Sequence, residues 1–129
     1  MNQLQQNKNF IIHYFNALSG VTKTRELVEQ YVTDEELIGH ILFFDSVLPR
    51  YEAFIDEMTA EDNRVVVRAR AKGVHEGEFN GILPTHRAIE VHSMITYVFE
   101  NGKIIHHTLI ADQMELMAQL GVMNVPAGE

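Results

Sequence analysis

A chain of 129 residues with 46% hydrophobic and 22% charged side chains has the size and balance of one globular domain, which excludes a disordered polypeptide. It contains no cysteine, so disulfides, thiolate zinc sites and thiol nucleophiles are excluded, and a cytoplasmic setting is expected. Its 18 acids against 10 bases leave a net charge of −8, a surface that repels nucleic acid and anionic lipid.

No apolar stretch reaches membrane-spanning length, and the first residues lack a basic segment followed by an apolar run, so no membrane partner or secretory leader is expected. No repeat or linker divides residues 1–129. Helices come first, then strands, then a last helix, which predicts a single α+β domain.

The first helix is expected over Gln3 to Leu18, where Phe10, Ile11, Tyr14, Phe15 and Leu18 recur at helical spacing before Ser19-Gly20. A short helix is expected from Lys23 to Tyr31. Thr33 followed by Glu36 reads as a capping box that starts a third helix, carried by Leu37, Ile38, Ile41, Leu42, Phe44, Val47 and Leu48 up to Pro49.

From Tyr51 the apolar period becomes two. Strands are expected at 51–59, 64–75, 87–100 and 103–111, with a turn at Glu61-Asp62-Asn63 and a loop from Glu76 to Thr85 around Gly77, Gly81 and Pro84. The basic residues Arg64, Arg68, Arg70 and Lys72 share one strand face, which reads as solvated or dimer-facing. Asn101-Gly102 is a two-residue hairpin signal that sets Glu100 against Lys103 and Phe99 against Ile104. Assigning Ile89, Val91, Ser93, Ile95, Tyr97 and Phe99 inward on one strand, and Ile105, His107, Leu109 and Ala111 inward on the next, conflicts with that register. A bulge or longer loop must resolve it. A helix from Gln113 to Leu120, stopped by Gly121, closes the chain, and the tail after Val122 is expected to fray.

Several segments together resemble one family. His75-Glu76-Gly77-Glu78-Phe79-Asn80-Gly81-Ile82-Leu83-Pro84-Thr85 is similar to the H-x-G-x-F-x-G-I-x-P-T segment of the SnoaL-like polyketide cyclase and ester cyclase family. Ala60-Glu61-Asp62-Asn63-Arg64-Val65 resembles its A-E-G-D-R-V turn. Gly102-Lys103-Ile104-Ile105-His106-His107, followed by Asp112 and Gln119-Leu120-Gly121, resembles its ending.

The resemblance spans about positions 10–122. It implies a nuclear transport factor 2-like fold: a cone-shaped, curved antiparallel sheet packed on the N-terminal helices, usually dimeric through the outer sheet face, with an apolar pocket inside. It implies a cofactor-free aldol cyclisation in which an Asp on the last strand acts as acid/base, helped by a Gln-x-His pair and an Asn near the helices. Here the Asp position holds Leu109, the Gln and His positions hold Ser93 and Ile95, and the short hairpin carrying the Asn is missing. Leucine cannot carry a proton.

The remaining polar residues are weighed as site candidates. His107 shares a face with Leu109 and Ala111, which the resemblance turns toward the pocket, and reads as a general acid/base or as a hydrogen-bonded core histidine. His75 either lines the pocket or pins the glycine loop. His40 points into the cavity or sits half-buried at a helix edge. Tyr14, Phe44 and Tyr97 are core residues that could also line a pocket with Ser93, Ile95 and Leu109. Asp112 is a second-tier acid whose spacing to Glu115 also makes it a helix cap. No His-x-His with a matching carboxylate and no His-Glu-x-x-His helix occurs, so neither metal nor cofactor is expected. The expected partners are an apolar small molecule and a second copy of the chain. The expected activity is a cyclase-like lyase or isomerase, or binding of the same ligand without chemistry.

Overall fold

The computed structural model describes residues 2–122, so the expected fraying of the tail after Val122 falls outside the described residues. Helix α1, Gln3–Leu18, is capped by Asn2, whose side chain accepts from the Gln5 N–H. Helix α2 is Arg25–Glu29, shorter than the 23–31 expected, because Thr24 caps it and Lys23 is drawn into the interior before it begins.

Helix α3, Glu35–Val47, starts one residue later than the capping box implied. Its cap is Asp34, which accepts from the Glu36 and Leu37 N–H groups. Thr33 is taken up elsewhere: its N–H donates to the Ile104 carbonyl at 2.9 Å, and Ile104 returns its own N–H to Tyr31 at 2.9 Å. That parallel bridge overrides the local capping signal.

Strands β1 (Glu52–Glu61), β2 (Arg64–Val74), β3 (Ala88–Glu100) and β4 (Lys103–Ala111) form one antiparallel sheet in sequence order, and α4 (Gln113–Leu120) follows. Residues alternate between buried and exposed along β2 and β3, the pattern of a sheet with one face in the core. A bulge lies between Ile55 and Glu57 on β1, and another displaces the β3–β4 register between Val98 and Phe99. Such bulges increase local twist and let a sheet curl around the helices laid on it.

The β4 bulge settles the conflict between turn and face. Phe99 pairs with Ile104 as the two-residue turn requires, but Val98 pairs with His106, leaving Ile105 as the extra residue. Ile104 is completely buried and Ile105 is exposed, which corrects the inward assignment of Ile105. Beyond the bulge Tyr97 faces His107, Ile95 faces Leu109 and Ser93 faces Ala111.

Two apolar clusters follow from this arrangement. One joins α1, α2 and α3 to the sheet through Ile11, Phe15, Val28, Ile38, Val65, Val67, Phe99 and Ile104. The other, built from Val47, Leu48, Phe79, Ile89, Val91, Leu116 and Leu120, packs the glycine loop and α4 against the far end of the sheet.

The glycine-rich motif builds that far end. Gly77 passes so close to α3 that an added Cβ would lie 1.8 Å from the Ser46 carbonyl oxygen. Asn80 and Gly81 take positive φ between Phe79 and Ile82, which exchange N–H···O bonds, and Phe79 is buried in the second cluster.

Candidate functional site

A cavity of about 130 Å³ lies between the inner sheet face and the helices. The sheet supplies Ser93, Ile95, Tyr97, Leu109 and Ala111, helix α1 supplies Tyr14, Phe15 and Leu18, and α3 supplies Leu37, His40, Ile41 and Phe44. Of the residues singled out from sequence, Tyr14, His40, Phe44, Ser93, Ile95, Tyr97 and Leu109 therefore line one cavity. The β4 bulge makes this possible, because without it Leu109 would turn to the outer face.

His107 sits beside the cavity. It is absent from the lining and almost buried, with its Nδ1 2.7 Å from the second carboxylate oxygen of Asp34. Burial by itself would raise the Asp34 carboxyl, but the hydrogen bond from His107 and the N–H groups of Leu37 and Glu36 hold it below its ordinary value. An ionised Asp34 fixes the ring proton of His107 on Nδ1 and leaves Nε2 as the basic nitrogen. His40 lies near enough that charge on His107 opposes its own protonation. Burial is the larger cause, and together they lower the His40 pKa, so its imidazole is neutral at pH 7. The His40 ring leans on Phe44 with centroids 4.7 Å apart.

Tyr14 and Tyr97 meet edge to face, with ring centroids 5.8 Å apart. With Tyr51 they form a buried group of phenols. Burial first, and their mutual proximity second, push the Tyr14 hydroxyl well above its ordinary range; burial and Tyr51 do the same to Tyr97. Tyr51 is raised by burial and by the Asp45 charge. All three are neutral donors at pH 7.

Lys23 also reaches the cavity wall with a fully buried side chain. Its ammonium donates to the Val21 carbonyl at 3.0 Å, the Tyr51 carbonyl at 2.8 Å and Asp45 at 3.4 Å, and it sits over the Tyr51 ring. Burial lowers its pKa, partly offset by Asp45. All three protons are engaged, so Lys23 ties the chain between α1 and α2 to α3 and leaves no donor for a ligand.

His75 lies away from the cavity. The Thr85 N–H donates to its Nδ1 at 3.1 Å and the Thr85 hydroxyl is 2.9 Å from the same nitrogen, so the ring closes the glycine loop on itself. Its Nε2 is buried and has no partner among the described residues. Asp112 caps α4, accepting from the Glu115 N–H at 2.9 Å, while its neighbour Gln113 reaches the cavity. On the opposite sheet face three residues of the basic stripe are paired: Arg68 lies 3.7 Å from Asp56, Arg70 Nε donates to both Asp56 oxygens at 2.9 Å, and Lys72 lies 3.8 Å from Glu90.

The sequence reading missed Asp34, Lys23, Asp45 and Tyr51. Asp34 was hidden in the acidic run Asp34-Glu35-Glu36, which reads as the solvated start of a helix. Only the fold brings it to a histidine 73 positions away.

A four-stranded curled antiparallel sheet, wrapped on N-terminal helices with a cavity against its inner face, is the nuclear transport factor 2-like fold. Solved structures agree. AclR, a candidate hydroxylase from Streptomyces galilaeus, superposes with a TM-score of 0.83 at 19% identity, covering 97% of this chain and 87% of that one. A candidate SnoaL-like polyketide cyclase from Jannaschia sp. CCS1 gives 0.80 at 20% identity, over 96% and 98%. TsrD from Streptomyces laurentii gives 0.79 at 18% identity, over 95% and 99%. No curated protein sequence matches the chain. The family profile described as SnoaL-like polyketide cyclase matches residues 24–120, and the chain belongs to that family.

Proposed function

We propose that this chain is a cofactor-free acid/base enzyme that moves a proton next to the carbonyl of an apolar compound held in the cavity. The observation that carries the reading is the array of Asp34, His107 and His40 at a cavity whose family carboxylate position is Leu109. His40, neutral and in the wall, is the group that meets the substrate. His107, oriented by Asp34, acts through it as a positioning residue.

The chemistry balances without a cofactor. His40 takes a proton from the carbon beside the carbonyl, and the C–H electron pair becomes the C=C bond of an enolate. The enolate oxygen is held by a polar group of the wall, Ser93 or Tyr97. His40 returns the proton to another carbon, which isomerises the compound, or the enolate carbon attacks a second carbonyl, closing a ring through a new C–C bond, and His40 gives its proton to the alkoxide that forms. Water is kept from the intermediate by the surrounding Phe, Leu and Ile side chains.

Deuterium exchange followed by proton NMR in heavy water tests this. Wild type should exchange the proton beside the carbonyl of a bound compound. His40→Leu should lose about 10²–10⁴ of that rate, and His107→Leu a smaller part with a shifted pH profile. A second reading, a binding module without turnover, is favoured by Leu109 standing where the family carries its carboxylate. Binding without exchange in wild type would select it.

The same reading includes a homodimer through the outer sheet face. Val66, Met94 and Ile110 are exposed there, Ile110 to 71%, with Met94 and Ile110 paired across β3 and β4. Sedimentation should give a dimer, and Ile110→Lys a monomer. A monomeric wild type would end that part of the proposal.

A further inference from the structure

Helix α4 does for β3 what a further strand would do. β4 leaves β3 at the Ala111–Ser93 pair, while β3 runs on to Ala88 with β2 along its other side. On the vacated side the backbone groups of Glu90 and His92 form a bare strand edge, which invites pairing with another chain. A helix cannot offer its own backbone sideways, so α4 offers side chains four residues apart on one face. Gln119 accepts the Glu90 N–H and donates to the Glu90 carbonyl, both at 2.7 Å. Glu115 accepts the His92 N–H at 3.1 Å and lies 2.9 Å from His92 Nδ1. The Asp112 N–H donates to the His92 carbonyl at 3.0 Å.

This latch opens more readily than the strand pairing it replaces. Its bonds run through long side chains at the surface, with the His92 side chain 46% exposed and that of Glu115 26%. The apolar hold on α4 comes from Leu116 and Leu120, buried in the second cluster, with Met117 partly buried beside them. A helix of eight residues has little stability of its own, so it leaves as a unit once these contacts break. Its root at Asp112 stays joined to β4.

The same helix belongs to the cavity. Gln113 in its first turn lines the cavity, beside Ala111 at the end of β4. Leu116 and Leu120 share their cluster with Leu48 and Val91, which also line the cavity. Lifting α4 therefore takes away one lining residue and loosens the cluster that holds others in place.

We propose that α4 is the gate of the cavity: ligand enters and leaves when the helix lifts from β3, and the Gln119–Glu90 and Glu115–His92 bonds set how often it lifts. The inference rests on reading the cavity as a ligand site and adds how that site is reached. Gln119 and Glu115 are positioning residues, outside the cavity lining.

Amide exchange in heavy water, followed residue by residue by NMR without ligand, reads the opening. Glu90 and His92 point their N–H groups at α4, whereas those of Ile89 and Val91 alternate toward β2. Lifting α4 frees the first pair and leaves the second protected, while global unfolding frees both. Glu90 and His92 should exchange faster than Ile89 and Val91 in wild type, and about tenfold faster again in Gln119→Ala and Glu115→Ala. Glu115→Gln, which still accepts from the His92 N–H, should stay nearer wild type. The ligand arm mixes the protein by stopped flow with prodan, a neutral naphthyl ketone whose fluorescence reports apolar surroundings. Its association and dissociation rates should both rise about tenfold in the alanine variants, with Kd within about twofold. Structural loosening alone would raise dissociation and Kd without speeding association.

Equal exchange of both amide pairs in wild type would show that α4 leaves only when the whole fold opens, which overturns the gate. Faster amides with unchanged prodan rates would show a helix that lifts without gating, and would overturn the inference while leaving the ligand site standing. Failure of prodan to bind wild type would remove the ligand-site reading and the gate with it.

Discussion

Asp34 holds two things at once: one carboxylate oxygen accepts the Glu36 and Leu37 N–H groups at the start of α3, and the other lies 2.7 Å from His107 Nδ1 on β4. A helix cap is ordinary, and so is a carboxylate that orients a histidine. Their union in one side chain means that the position of α3 and the tautomer of His107 are set together.

Replacing Asp34 separates the two roles. Asn caps a helix about as well as Asp, so Asp34→Asn keeps the start of α3 and removes only the charge facing His107. A hydrogen bond to a charged group is worth about 1.5–3 kcal/mol, and both side chains are nearly buried, so the variant should lose about 2 kcal/mol at pH 7. The pH dependence has a fixed sign. The Asp34 carboxyl is held below its ordinary value, so its contribution is complete above the ordinary aspartate range near about pH 4 and fades as the pH falls through the lowered value. Urea midpoints of both proteins from pH 7 to pH 2 check this. A gap that stays constant with pH would mean that the charge on Asp34 contributes nothing.

The glycine motif makes a steric prediction. An alanine Cβ at Gly77 would meet the backbone of Ser46 and Val47, which has no flexible end to move aside. Gly77→Ala should therefore cost about 3 kcal/mol or more. Gly81→Ala meets no atom within 4 Å, and its only penalty is the positive φ, about 1–2 kcal/mol. Denaturation of the two variants should rank them in that order. Equal costs would show that the loop can shift away from α3.

How far the sequence reveals this molecule depends on whether the deciding contact is local. The element order, both hairpin turns and the cap of α4 follow from periodicity and turn chemistry within a few residues. The cap of α3 does not, because Thr33 is claimed by Ile104, a residue 71 positions later. The parity of β4 was half legible: a bulge had to exist, but nothing in Ile104-Ile105 says which isoleucine turns inward. The structure answers with Ile104, completely buried against Ile105 at 37% exposure. Ile104→Ala should cost about 2–4 kcal/mol, while Ile105→Ala stays within about 0.5 kcal/mol in a monomer. Chemical denaturation of the pair reads the bulge directly. The opposite ranking would place it one residue earlier.

The family's carboxylate can be returned to its position. Leu109 faces Ile95 across the strands and lines the cavity, where Leu109→Asp would find apolar neighbours and no free cation. An unpaired carboxyl there should cost about 3 kcal/mol at pH 7. Its pKa should rise above the unfolded value, so the penalty applies above the ordinary aspartate range and shrinks as the pH falls toward it. Leu109→Asn, without a charge, should show a cost that does not change with pH. The carboxylate also tests the chemistry assigned to the wall. In a His40→Leu background it supplies a base from the opposite side of the same cavity, and proton exchange beside the carbonyl should reappear in the double variant. Binding of the carbonyl compound without any recovered exchange would show that a base at this position cannot reach the acidic carbon, and that Leu109 marks a different ligand pose from the one the family uses.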